Sequence, residues 1–189
     1  MRWPEDLSGD RFPGTVRREI SVEATIVDGR FVFDAVLRDR WFDDRGNTEE
    51  IHGYELRIEA VPPALEVVAL SARPRFLPFP ECPLAAPVAQ RLVGLELTRG
   101  FRADAKAVLG GIEGCTHLLS LVLAVADHQV VANYMRARVD DGSHPPGSLD
   151  FESVSDVCAG WREGGTALRT SRANQPHPRP HVDYGDREP

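Results

Sequence analysis

The sequence has one lysine, three cysteines and no long apolar run, and each shortage excludes a class of function. Lys106 is the only lysine among 22 basic residues. No Gly-x-x-x-x-Gly-Lys-Ser/Thr pattern surrounds it, which excludes a phosphate-binding loop of that type. Three cysteines are too few for a disulfide framework and favour free thiols. No apolar run approaches the roughly 18 to 20 residues that span a bilayer. The first residues also lack the apolar core of a secretory signal, so we expect a cytoplasmic protein.

The charge balance is acidic. The net charge is -7 and the isoelectric point about 5.4, which argues against binding to a nucleic-acid backbone. The composition, 42% hydrophobic and 27% charged, is typical of globular proteins, and 189 residues suffice for one domain with a real core. We therefore expect neither a nucleic-acid nor a membrane partner.

Alternating apolar and polar residues predict strands in the first half of the chain. A first strand ends at the turn signal Asp28-Gly29, which is typical of hairpins. Residues 40–50 are polar and predict a loop. The predicted strands that follow cover residues 30–39, 52–60 and 64–72. Four sequential strands with short links predict an antiparallel meander with one face to be covered.

The second half of the sequence changes to a helical period. A proline-rich connector over 74–83 precedes predicted helices over 84–93, 101–109 and 116–138, and glycines follow the first two. The predicted fold class is α+β, an antiparallel β-meander of about four strands covered by two or three helices. The predicted organisation is a flexible lead-in over 1–15, a single α+β domain over 16–170 and a disordered tail over 171–189.

The clearest chemical signal is Gly114-Cys115-Thr116-His117 at the start of the predicted long helix. A thiol beside a helix N-terminus is exposed to the positive end of the helix dipole, which favours the thiolate. Preceding glycines let backbone N–H groups face a ligand. A small buried cysteine followed by a polar histidine explains the same residues without chemistry.

Cys82 lies just before another predicted helix, so two cysteines open two helices that pack on one sheet. We expect Cys82 and Cys115 to lie close together. With His117 they offer two thiolates and an imidazole, a set suited to zinc or an iron–sulfur unit. No Cys-x-x-Cys pair is present, so the spacing alone is a weak metal signal. Cys158 or His52 could complete the set, although a buried structural thiol and a satisfied strand histidine are the better-supported interpretations of these two residues.

The stretch from Arg17 to Ala126 resembles a bacterial family known as domain of unknown function 2889. The most specific matching block runs from Leu109 to Leu118 and contains Gly110-Gly111, Gly114-Cys115 and His117. Other matching features are Arg17-Arg18, Asp28-Gly29, Leu37-Arg38-Asp39, Ile51-His52-Gly53-Tyr54, Cys82 and Arg99-Gly100-Phe101. The family carries no established activity, so the resemblance implies a grouping and no reaction. The preference for arginine over lysine is consistent with a GC-rich bacterial genome.

The order of elements also resembles iron–sulfur scaffold proteins of the IscU and NifU amino-terminal type. These have a meander, a cysteine leading into a helix, a short helix, and a cysteine–histidine pair opening the last long helix. The resemblance implies a metal or cluster site at Cys82, Cys115 and His117. In those scaffolds the histidine precedes the cysteine, and a further cysteine lies between the first two strands. In this chain His52 or Cys158 would have to replace it.

Two alternatives to metal binding stay open. One is a thiol-dependent enzyme in which Cys115 is the nucleophile, His117 or His52 is the base, and helix N–H groups stabilise an oxyanion. The other is a partner-binding module without chemistry, using the sheet edge or the acidic surface. Sulfur and nitrogen atoms within about 4 Å of one centre favour metal. A contact of Cys115 with His52 or His117 near a pocket, with Cys82 remote, favours the enzyme. If neither arrangement is found, the partner-binding module remains.

Overall fold

Four strands follow one another in the computed structural model and pair as one antiparallel sheet in the order β1-β2-β3-β4. The structure describes residues 14–62, 64–97, 100–139, 155–156 and 159–173. The strands are β1 (Thr15–Val27), β2 (Arg30–Phe42), β3 (Thr48–Val61) and β4 (Glu66–Phe76). Asp28 and Gly29 both have positive φ and form the tight turn between β1 and β2, as the Asp-Gly signal predicts. The predicted α+β meander is therefore confirmed.

The predicted loop over 40–50 is wrong in its extent, because β2 and β3 continue into it. Phe42 is 2% exposed, and the guanidinium groups of Arg17 and Arg40 lie over its ring. The connection shrinks to residues 43–47. There the carboxylate of Asp43 accepts hydrogen bonds from the backbone and the side-chain amide of Asn47. This local bonding closes the turn within a stretch whose polarity alone suggested a longer loop.

The fourth strand is displaced relative to the prediction over 64–72. It begins at Glu66 and ends at Phe76, so it includes Pro74, which pairs with Tyr54. A proline is tolerated because β4 is an edge strand and one side of its backbone needs no ladder partner. The proline-rich connector is correspondingly shorter than predicted.

The helices of the second half match the predicted positions. The predicted helix over 84–93 is α1 (Ala85–Val88) between two 3-10 turns, Cys82–Leu84 and Ala89–Leu92. α2 (Phe101–Leu109) and α3 (Thr116–Val139) follow. Cys115 lies just before α3, and its carbonyl accepts the N–H of Leu119. A further helix, α4 (Thr166–Arg172), follows the 3-10 turn Ala159–Trp161.

The helices cover one face of the sheet. Alternate residues of β2 and β3 are buried against α2, the first turns of α3 and the 82–92 segment. The buried cluster includes Phe33, Leu37, Tyr54, Leu56, Ile58, Leu92, Phe101, Leu109, Leu118, Leu121, Val122 and Val125. On the opposite face Arg57 pairs with Asp34, and Arg75 pairs with Glu55.

The chain divides into two compact units. One unit covers 13–136 and contains the sheet with its helices; the other combines 1–12 with 137–189. In the second unit α4 buries Leu168, and Arg172 forms an ion pair with Glu163. The predicted lead-in and tail lie almost wholly outside the described residues. Within the described part of the chain, no helix combines the length and apolar character needed to cross a bilayer.

Candidate functional site

Three polar residues lie side by side across the sheet where apolar residues are expected. In the strand register Arg18 of β1 is opposite Asp39 of β2, and Asp39 is opposite His52 of β3. Directly opposite residues of antiparallel strands project to the same face. These three therefore continue the helix-covered face beyond its last apolar row, which contains Leu37 and Tyr54.

A bulge beside this row fixes its geometry. The register between β2 and β3 shifts after Asp39, so that Arg40 is opposite Glu50 and Ile51 has no direct partner. Bulges of this kind bend a strand and redirect its side chains, and they are frequent next to functional sites. Asp39 is left only 4% exposed, a burial that an acidic side chain tolerates only when it is paired.

Arg18 provides that pairing. Its Nε donates to Asp39 Oδ1 at 2.7 Å, and its second amino group donates to Oδ2 at 2.8 Å. Such a two-point contact between guanidinium and carboxylate is both strong and directional. The hydrogen bonds from Arg18 lower the pKa of Asp39 below its ordinary value, against the opposing effect of burial. The carboxylate is therefore ionised at neutral pH.

The start of α3 brings Cys115 and His117 to this row. Gly114 lets the chain pass close to the end of α2, because a Cβ atom built at this position would lie 1.8 Å from the carbonyl oxygen of Leu109. No other residue fits so close to the end of α2. Gly111, with φ +73°, turns the same loop. The glycines therefore have a steric role here, and they place the thiol at the position directly before the long helix.

Both histidines face the same carboxylate oxygen. Nδ1 of His52 lies 3.2 Å and Nε2 of His117 lies 3.5 Å from Asp39 Oδ2. The two imidazole rings stack with their centres 3.7 Å apart. Burial, the neighbouring His52 and the Arg18 cation lower the pKa of His117 below its ordinary value, with Asp39 acting in the opposite direction. His117 is therefore neutral at pH 7 and carries one ring proton.

Cys115 contacts the other nitrogen of His117. Its Sγ lies 3.8 Å from His117 Nδ1, within the range of hydrogen bonds that involve sulfur. The hydroxyl of Tyr54 also interacts with the Cys115 thiol and donates to the carbonyl oxygen of Cys82 at 3.2 Å. Burial, followed by the neighbouring cysteines, raises the pKa of Tyr54 well above its ordinary value, so the phenol stays protonated. The thiol, both imidazoles and the carboxylate thus form one continuous group.

The predicted site residues are distributed as follows. Cys115, His117 and His52 lie in this group, whereas Cys82 reaches it through its backbone carbonyl. Cys158 lies outside the described residues. Sequence reasoning missed Asp39 and Arg18 as site residues. A signal was present, because Asp39 has the same strand parity as the buried Leu37, and Arg18 has the same parity as the apolar Ile20 and Val22.

Three donor atoms of the group could hold a metal ion. Among the described residues, Asp39, His52 and His117 offer donors that all lie within 4.8 Å of one another, and neither Cys82 nor Cys115 belongs to this set. An ion bonded to both rings at about 2.1 Å would hold the ring centres roughly 4.5 Å apart or more, compared with the 3.7 Å found. The rings would have to separate by about 1 Å to bind it. Both carboxylate oxygens are also hydrogen-bonded to Arg18.

The fold and site define a small α+β protein with a cysteine, two histidines and a carboxylate gathered at one end of the helix-covered face. The chain belongs to the family described as protein of unknown function DUF2889, whose pattern matches residues 16–131. That match covers the sheet apart from Thr15, and α3 as far as residue 131, and with them every residue of the group. No curated protein and no solved structure matches the chain. The comparisons therefore support the family and give no support to the resemblance to iron–sulfur scaffolds.

Proposed function

We propose that this protein carries out thiol-dependent chemistry, with Cys115 as the nucleophile and His117 as its base. The observation that carries the proposal is the 3.8 Å contact between Cys115 Sγ and His117 Nδ1. A nucleophilic thiol within reach of a base that a third group orients is the usual signature of covalent catalysis. A cytoplasmic location, in which free thiols stay reduced, is part of this proposal.

The third group is Asp39. It lies on the Nε2 side of His117, so an ionised carboxylate there favours the tautomer with the proton on Nε2. That tautomer leaves a lone pair on Nδ1, which faces the thiol. His117 can then accept the proton of Cys115 when the sulfur attacks an electrophile. Arg18 holds the carboxylate in place through two hydrogen bonds.

The backbone beside the thiol suits the same role. Cys115 precedes the first turn of a helix of 24 residues, and the first N–H groups of an α-helix have no partner within the helix. These groups follow Cys115 directly in the chain and carry the positive end of the helix dipole. Negative charge that develops on a carbonyl oxygen attacked by Cys115 would be stabilised at this position.

A second candidate function is metal binding through Asp39, His52 and His117. The close approach of their three donor atoms favours it, and two imidazoles with a carboxylate suit zinc or iron. The sequence predicted that Cys82 and Cys115 bind the ion together with His117. In this set Asp39 and His52 take the place of the two cysteines. Cys115 would then hydrogen-bond to the ring nitrogen of His117 that does not bind the metal, and would orient that ligand.

Alkylation kinetics test the thiol proposal. We expect iodoacetamide to modify Cys115 faster than Cys82 in the folded protein at pH 7, with the modified site identified by peptide mass spectrometry. His117→Gln should slow the modification of Cys115 several-fold, because the thiol loses its proton acceptor. The matched control is His128→Gln, which removes a half-buried histidine eleven residues further along α3.

Two results would contradict the proposal. One is an equal rate for His117→Gln and the wild type; the other is a Cys115 that reacts no faster than Cys82. The metal content of the purified protein distinguishes the metal site from the thiol site. Zinc or iron that copurifies anaerobically, persists in Cys115→Ser and is lost in His52→Gln would favour the metal site over the thiol site.

A further inference from the structure

The helix-covered face of the sheet continues one row beyond the site, and there it is open to solvent. Every second residue of β2 from Phe31 to Asp39 is at most 4% exposed, whereas Trp41, the next residue in this series, is 38% exposed. Its partner in β1 is Val16, which is 62% exposed. Directly opposite residues project to the same face, so both side chains lie on the face that carries Asp39. We call Val16 and Trp41 the apolar patch.

The apolar patch borders the reactive group. Trp41 follows Asp39 on the same face of β2, at a distance of about 7 Å along the strand. Asp39 Oδ2 lies 3.5 Å from His117 Nε2, and His117 Nδ1 lies 3.8 Å from Cys115 Sγ. Two side chains therefore connect the thiol with the patch. The exposed apolar surface begins where the helix cover ends, at the start of α3.

We propose that the substrate of Cys115 is an electrophile with an uncharged apolar substituent, and that the apolar patch binds this substituent. The inference rests on the proposed function, because it requires Cys115 to be the attacking thiol. Val16 and Trp41 then determine specificity, since they contact the substrate away from the atoms that react. Small-molecule sites commonly combine apolar and aromatic side chains with a few convergent polar groups, which is the composition found here.

The charges beside the patch favour an uncharged substituent. Glu49 of β3 is opposite Trp41 and is exposed, so a carboxylate borders the patch on this side. In the neighbouring row the guanidinium of Arg18 is already paired with Asp39. An anionic substituent would therefore meet a charge of the same sign at Glu49, which disfavours it. The indole of Trp41 offers a large apolar area to an alkyl chain or an aryl ring.

The apolar patch takes no part in the change of bonds. With a haloacetamide as the electrophile, the sulfur of Cys115 attacks the carbon that carries the iodine. The C–S bond forms, the C–I bond breaks and iodide leaves, while the thiol proton passes to His117 Nδ1. The patch stabilises the bound reagent through the substituent on the amide nitrogen. Haloacetamides that differ only in that substituent therefore measure its contribution.

The test compares N-ethyliodoacetamide with N-hexyliodoacetamide on the full reduced chain at pH 7. N-acetylcysteine in solution is the reference, and it should react equally with both reagents because the substituent is remote from the C–I bond. At Cys115 we expect the hexyl reagent to react roughly tenfold faster, the gain that results if about half of the added apolar surface is covered. Peptide mass spectrometry identifies the modified cysteine.

Variants of the apolar patch locate the contact. Trp41→Ala should reduce the hexyl preference at Cys115 several-fold, and Trp41→Phe should retain most of it. Val16→Thr, which exchanges one methyl group for a hydroxyl, should reduce the preference about twofold. It also keeps the test possible if Trp41→Ala does not fold. The matched control is Val27→Thr, because Val27 is 47% exposed at the far end of the same strand and should keep the wild-type preference.

Failure of this inference is distinguishable from failure of the proposed function. If iodoacetamide prefers Cys115 to Cys82, but Cys115 shows no more hexyl preference than N-acetylcysteine, the thiol is reactive and the patch does not bind the substrate. A hexyl preference that persists in both Trp41→Ala and Val16→Thr would also overturn the inference. The absence of a hexyl preference, together with a dimer in sedimentation that Trp41→Ala dissociates, would assign the patch to a second copy of the chain. If iodoacetamide does not prefer Cys115, the proposed function itself is wrong.

Discussion

Replacing Arg18 with alanine should destabilise the protein far more than replacing another arginine of the same sheet. Arg18→Ala leaves the carboxylate of Asp39, which is 4% exposed, without its guanidinium partner. Breaking a fully buried ion pair typically costs about 3–5 kcal/mol. The arginine side chain here is 45% exposed, so water can reach the vacated position and reduce the loss. We therefore expect a decrease in the free energy of unfolding of about 2 kcal/mol.

Arg57→Ala is the matched control. Arg57 contacts both carboxylate oxygens of Asp34 at 3.0 Å and also joins neighbouring strands. Its side chain is 50% exposed and that of Asp34 is 54% exposed. Pairs with this exposure contribute less than about 1 kcal/mol. The comparison thus separates the effect of burial from that of losing one arginine from a strand.

Urea unfolding at pH 7 measures the difference. With a slope of about 2 kcal/mol per molar, the loss expected for Arg18→Ala moves the midpoint by about 1 M, and that expected for Arg57→Ala by less than half as much. The double variant Arg18→Ala with Asp39→Asn should recover part of the loss, since no buried charge is left unpaired. Equal midpoint shifts for the two single variants, or no recovery in the double variant, would refute the assignment of Asp39 as a buried charge held by Arg18.

Three further predictions concern the same part of the molecule. Because the pKa of Asp39 is lowered on folding, its stabilising contribution is complete above the ordinary carboxyl pKa of about 4 and is lost as the pH falls below it toward the lowered pKa of the folded state; Asp39→Asn should flatten this acid limb in unfolding experiments from pH 7 to 3. Gly114→Ala should cost more than about 2 kcal/mol of stability and slow alkylation of Cys115, because the added Cβ meets the carbonyl of Leu109. In the control Gly46→Ala the added Cβ meets nothing within 4 Å, and the expected cost is about 1 kcal/mol; equal losses in thermal melts would contradict the steric argument. Tyr54→Phe should lower stability by about 1 kcal/mol in urea through loss of one part-buried hydrogen bond, and an unchanged midpoint would show that this bond contributes nothing.

The sequence predicted the strands and helices well because their signals are local. Alternation with period two identifies which residues of β1, β2 and β3 face the helices, and Asp28-Gly29 fixes the first turn. The limits of α2 were predicted to the residue, and α3 ends one residue later than expected. Glycine and proline signals mark these ends. The larger errors, at the 43–47 loop and at β4, occur where side-chain bonding and edge position decide how far a strand extends.

The site was predictable only in part, because its residues meet through register rather than through spacing. Cys115 and His117 are close in sequence and were recognised. Arg18, Asp39 and His52 become neighbours only once three strands pair in one register, and the bulge after Asp39 sets which residue of β3 is opposite it. A charged residue on the apolar parity of a strand, such as Asp39 after Leu37, is the signal that reveals such a site before the register is known.

The strand that carries Arg18 has a consequence for how long the site stays assembled. In the described sheet β1 pairs with one strand, whereas β2 and β3 each pair with two. Strands at the margin of a sheet open at lower free energy than central ones, and amide hydrogen exchange reports such local openings. A local opening that detaches β1 alone removes Arg18, the counter-charge of Asp39, while β2, β3 and α3 stay folded. Asp39 and Arg18 then stay paired only as long as β1 stays attached to β2. A ligand that binds to the assembled site should therefore slow amide hydrogen exchange along β1.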